Sequence, residues 1–172
     1  MKELYLALIA LLRVTYTAEQ LHVDIWNDQL ASMEGQEIYS FRMPAVFFEF
    51  QNTSDVQTLG KGLQIYNDLI VRAHVVHQEL DAADGTVDRN VAALVFKQDI
   101  FALLDVAEPT GAAMFARNGE EEDKSHTNIY HFIQDYKTNY VDKSRERPIG
   151  AVLTTPPTTL ELDVEIVDEI DE

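Results

Sequence analysis

The chain has 172 residues, a mass of 19.5 kDa, and 46% hydrophobic, 9% aromatic and 25% charged residues. This ordinary globular composition excludes disorder throughout and, at this length, suits one domain that buries roughly 70% of its extended-chain surface. The absence of cysteine excludes disulfide scaffolds, thiolate zinc sites and cysteine nucleophiles. Thirteen basic against thirty acidic residues give a formal charge of −17, a field that repels phosphate and argues against reading or scanning DNA.

The first segment, Met1–Val14, places Leu4, Leu8 and Leu11 on one helical stripe, with Ala7 and Leu12 at its edges. Lys2 before a short apolar run superficially suits a secretory signal. Glu3, Arg13 and the lack of a small-x-small cleavage site argue instead for a core helix of a cytoplasmic protein. No apolar run reaches the 18 or so residues of a membrane helix. His22–Trp26 alternates as a half-buried strand, Asn27–Tyr39 reads as a loop, and Pro44–Phe50 is a second strand entered through a proline. Gln51–Gly62 is a polar, projecting connection. Leu63–Gln78 is a long third strand with Leu63, Ile65, Leu69, Val71, Ala73 and Val75 in phase, and with Tyr66, Ile70 and Val76 on the other face.

Leu80–Thr86 is a loop, and Asp88 caps a helix that runs to about Leu104, before Pro109. That helix is apolar around most of its circumference. Ala112–Arg117 suits a short strand, Asn118–Ser125 a solvated acidic loop, and His126–Asp142 another long strand. Thr154–Pro157 is a stiff linker. The strictly alternating Thr159–Ile166 then predicts a last strand with one apolar and one acidic face. Seven acids and no base follow from Glu161 onward, and residues 1–160 alone still carry −10. The expectation is an α+β fold: an antiparallel sheet with two main helices on one face over residues 1–153, and an acidic C-terminal arm over 154–172.

No catalytic or cofactor pattern emerges. His74 and His77, like His126 and His131, have odd spacing that points them to opposite faces of a strand, away from a shared metal. Asp81, Asp84 and Asp88 lack calcium-loop spacing, Gly60–Lys61–Gly62 lacks the P-loop pattern, and no serine sits in a nucleophile elbow. The residues point to no metal, no cofactor and no enzyme. Three features instead ask for a partner: two long strands apolar on both faces, a helix apolar almost all round, and a strand beyond a Pro-Pro linker that can pair with its own sheet or a neighbour's. Interface candidates are Tyr66, Ile70 and the apolar row Leu160, Leu162, Val164 and Ile166.

Five stretches carry a family resemblance: HVDIWNDQL (His22–Leu30), PAVFFEF (Pro44–Phe50), GKGLQIYNDLIVRAHVV (Gly60–Val76), FALLD (Phe101–Asp105) and HTNIYHFIQDYKTNY (His126–Tyr140). Together, and in element order over residues 1–142, they resemble phage tail terminator (tail completion) proteins of the head–tail neck, in the form found in phages and prophages of Bacteroidetes. The resemblance implies a sheet with helices on one side and a homo-oligomeric ring, hexameric or higher, that ends the tail tube and docks the head connector. It implies no catalytic residues. DNA would pass through such a ring without specific binding, and Glu120, Glu121, Glu122 and Asp123 are candidates to line a phosphate-repelling lumen. The alternatives are another connector or portal-junction ring protein, and an acidic enzyme or DNA mimic that binds a basic host protein.

Overall fold

The computed structural model describes residues 1–31, 41–51, 56–59, 63–78, 88–125 and 129–144, with the backbone alone at 88–90. The Pro-Pro linker and the expected terminal strand lie outside these residues. Chain order is α1 (Lys2–Arg13), β1 (His22–Ile25), β2 (Ala45–Gln51), β3 (Val56–Thr58), β4 (Gln64–Gln78), α2 (Asp88–Leu104), β5 (Ala116–Asp123) and β6 (Ile129–Asp142). The strands form one sheet in the order β1-β2-β4-β6-β5, with β3 beside the first residues of β4, beyond the end of β2.

This is the expected α+β fold, with three differences. β1 runs parallel to β2, so the sheet is mixed, although every other pairing is antiparallel; a long connection between strands permits parallel pairing where a tight turn does not. Part of the connection expected over Gln51–Gly62 is the strand β3. The acidic stretch read as a loop, Asn118–Ser125, mostly forms the edge strand β5. Acids have low strand propensity, but an edge strand needs only one partner, and charge there blocks pairing with other chains.

α1 and α2 cover one face of the sheet. Leu4, Leu8 and Leu12 of α1 and Phe96, Ile100 and Leu104 of α2 form a continuous core with Val46, Phe48, Leu69, Val71, Val75, Phe132, Tyr136 and Tyr140. Leu12 is fully buried, and Leu11, placed on the stripe by its spacing, is only half-buried. Gln134 is buried on this face too. Its amide donates to the Lys97 carbonyl at 3.2 Å and accepts from the Tyr136 hydroxyl at 2.8 Å, so no polar group is stranded.

A bulge shapes β4. Tyr66 pairs with Tyr140 but Leu69 pairs with Thr138, so β4 spends one residue more than β6 across this step. Asp68 takes the left-handed conformation (φ 55°) and its N–H donates to the Asn139 side chain at 3.0 Å. One extra residue flips the faces of everything before it. Tyr66 therefore packs on the helix-side core while Ile70 faces the other way, and Ile65 is out of phase with Leu69.

α2 ends at Leu104, and Val106 follows in the left-handed region (φ 56°) with its N–H donated to the Phe115 carbonyl. Glycine is the usual residue at such a helix exit, and a β-branched side chain is strained there. Val106→Gly is expected to raise the unfolding free energy by about 1 kcal/mol. Leu8→Ala, in the centre of the core, is expected to lower it by about 2–5 kcal/mol. Urea unfolding of the two variants checks both signs.

Candidate functional site

The face of the sheet away from the helices holds most of the chemistry. Strand alternation places Phe47 and Glu49 of β2, Ile70, Arg72, His74 and Val76 of β4, and His131, Ile133, Asp135 and Lys137 of β6 on it. Its central part is polar. The Arg72 guanidinium makes two hydrogen bonds to Asp135, at 2.8 and 3.1 Å, and lies 3.9 Å from Glu49. One end is apolar, and the chain covers it itself. Leu30, Ala45, Phe47, Val76 and Ile129 form a second small core with Trp26, Phe41 and Met43 packed against it. The second apolar face of β4, which from sequence suggested a partner, is in this part satisfied internally.

Beneath Trp26 lies a chain of four titratable groups. The His74 ring stacks on the Trp26 ring with centroids 3.8 Å apart and planes 4° from parallel. His74 Nδ1 lies 2.9 Å from His131 Nε2, His131 Nδ1 lies 3.2 Å from Asp123 Oδ2, and His74 Nε2 lies 3.4 Å from Glu49 Oε2. Both imidazoles are buried, at 3% and 2% exposure. The chain has three contacts, but two neutral imidazoles bring only two N–H groups. The distances favour the tautomers in which His131 donates to Asp123 and His74 donates to His131, leaving the longest contact, at Glu49, without a proton. Glu49 also accepts from the Gln51 amide at 3.4 Å.

Burial, followed by the neighbouring His131 and then Arg72, pushes the His74 imidazole down to about 3, against a smaller upward pull from Asp123. Hydrogen bonds from Ser125, together with His131, hold the Asp123 carboxyl down at about 2 against its own burial. Spacing along one strand could not reveal this pair, because His74 and His131 meet across strands: Val76 opposes His131 and Ile133 opposes His74. The signal available in the sequence was the presence of histidines on both long strands. Among the described residues, no group of three or more metal-ligating side chains converges. The chain of four therefore reads as a hydrogen-bonded relay.

The other anticipated residues are dispersed. Tyr66 and Ile70 are half-buried on opposite faces, with the Tyr66 ring 6.2 Å from that of Tyr140. Leu160, Leu162, Val164 and Ile166 lie outside the described residues. Glu120 turns to the helix side and pairs with Lys97 at 2.6 Å and with Arg117. Asp123 belongs to the histidine chain. Glu121 and Glu122 are exposed, Glu122 lying 3.7 Å from Lys124.

Two apolar surfaces lie on the helix side. Val91, Leu94 and Val95 of α2 are 46–47% exposed and share one side of the helix by their i, i+3, i+4 spacing. A groove of about 460 Å³ runs between α1 and the turn after α2, lined by Ala7, Leu11, Val14, Leu103, Val106 and Pro109 among others. No helix among the described residues is long and apolar enough to cross a membrane. Neither protein-family models nor curated proteins yield a match to the chain.

Native His74 resists a proton that the unfolded chain accepts near pH 6.5. Between about pH 6.5 and 3 the unfolded state thus binds more protons, and stability falls as the pH drops through that window. Asp123 acts in the same direction lower down, its contribution fading from pH 3.8 to about 2. The unfolding free energy is expected to fall by about 2 kcal/mol between pH 7 and pH 5. Urea titrations at the two pH values measure this.

Proposed function

We propose that this protein is a non-catalytic assembly component of the phage neck: a ring-forming tail terminator that ends the tail tube and docks the head connector in the virion. The observation that carries the assembly reading is α2, which presents Val91, Leu94 and Val95 to solvent at nearly half exposure. Single exposed apolar residues are ordinary, but a contiguous stripe on one helix marks a contact surface. The resemblance of residues 1–142 to tail terminator proteins supplies the specific identity. The α+β architecture with both helices on one face of the sheet agrees with what that resemblance implies.

In such a ring the partners are further copies of the chain, the tail tube protein below and the portal-side connector above. DNA passes through without specific contacts, and the acidic charge has a use there, since a carboxylate-lined lumen repels phosphate. Of the four acids expected to contribute, Glu121 and Glu122 suit this role best. Glu120 is drawn to Lys97 and Arg117, and Asp123 to His131.

Analytical ultracentrifugation of the full chain, alone and mixed with tail tubes, tests the proposal. The expected particle has several times the 19.5 kDa of one copy, and Leu94→Asp or Val95→Asp returns it to one copy. Because both side chains are exposed, the variants should keep the wild-type unfolding free energy to within about 0.5 kcal/mol. A wild type that sediments as a single copy at all concentrations, with and without tubes, overturns the ring.

A further inference from the structure

We propose that the Glu49–His74–His131–Asp123 chain is an acid-sensitive latch, which holds the Trp26 turn on the sheet while the His74 imidazole is neutral and releases it when His74 takes up a proton. The inference is independent of the ring reading and rests on the geometry under Trp26. Protonating His74 would complete the third contact, toward Glu49, but it would place a cation at a site only 3% exposed and 2.9 Å from the His131 ring. The charged groups around the pair do not compensate. From β2, Glu49 is shared with Arg72 and Gln51. From β4 itself, Arg72 is a like charge. From β6, Asp135 is bound twice by that guanidinium. From β5, Asp123 already accepts from His131, while Glu121 lies near enough to Arg72 to act on its charge. On the β1 side, His22 stacks on Phe41 and lies tilted against Phe47.

Water reaches His74 most easily if Trp26 lifts away. Among the described residues, the Trp26 N–H ties the turn to the Phe48 carbonyl at 2.9 Å, the Gln29 amide donates to the Ile25 carbonyl within the turn at 2.6 Å, and Asp28 tolerates the left-handed backbone (φ 54°). None of the β4–β6 ladder has to break, so release is a local opening that leaves the sheet intact. It would bare Phe47, Val76 and Leu30, an apolar surface hidden at neutral pH.

Trp26 is the single tryptophan, so its emission reports on the turn alone. Titrating the full chain from pH 7.5 to 4.5 should shift the wild-type emission to the red below about pH 6.5 with the far-UV circular dichroism unchanged. His74→Phe, which keeps an aromatic ring under the indole but cannot be protonated, should hold its emission constant. In the wild type, the Trp26 amide should be less protected than that of Val75, and its protection should fall about tenfold per pH unit below 6.5, the ratio for one proton taken up on opening. A constant wild-type emission, an equal shift in His74→Phe, or a Trp26 amide as protected as that of Val75 overturns the latch. If His74→Phe fails to fold, the wild-type exchange ratio decides by itself.

Discussion

The antiparallel pairing of β4 with β6 is the constraint on which the rest of the molecule depends. It runs from Gln64 opposite Asp142 to Gln78 opposite Ile129, nearly the full length of both strands. Every other element is placed relative to it: β2 and β3 share one flank end to end, β5 takes the other, and both helices cover one face. The register also fixes the chemistry. Ile133 opposite His74 leaves His131 one diagonal step away, within hydrogen-bonding reach. A slip of one residue would carry the imidazole of His131 to the helix face, into a core of leucine and phenylalanine.

The two faces of this sheet solve different problems. The helix side is an apolar layer whose one buried amide, Gln134, is satisfied by Tyr136 and by α2. The opposite side combines a small core under Trp26 and Phe41 with a half-buried row of paired charge, Glu49–Arg72–Asp135. A sheet face of this kind does not have to be covered by another molecule. The surplus apolar area therefore lies chiefly on the helices, not on the strands that first suggested a partner, and this narrows where an assembly contact belongs.

What was legible in the sequence follows from how local the signal is. The bounds of α2 were readable because Asp88 and Pro109 bracket a long apolar run, and β2 because Val46, Phe48 and Phe50 alternate behind a proline. The bulge at Asn67–Asp68 was not readable, since neither residue is a glycine and the pattern Ile65–Leu69–Val71 looks unbroken until β6 is laid beside it. The strand β5 was hidden by its own acids: Glu120–Asp123 has the composition of a loop and becomes a strand because β6 offers a partner edge. The histidine pair was missed for the same reason. Its members are 57 residues apart in sequence, and only the cross-strand register brings them together.

Copies of a chain with a formal charge of −17 repel one another, so any contact between them must sit where the local charge is lowest. The outward side of α2 meets that condition. Ala92, Gln98 and Ala102 around the Val91–Leu94–Val95 stripe are exposed and uncharged. Among the described side chains, the nearest charges on the helix are engaged: Lys97 bonds Glu120 and lies over the Phe132 ring, and Asp99 accepts from the Tyr16 hydroxyl at 3.1 Å. The exposed acids Glu121 and Glu122 lie on the edge strand, not on this helix. Repulsion between such surface charges fades over roughly 8 Å at physiological salt, whereas burial of apolar area contributes roughly 25 cal/mol per Å² wherever it occurs. Separating the two on different elements lets an acidic protein keep its long-range field and still offer one short-range contact, which is the combination the proposed ring requires.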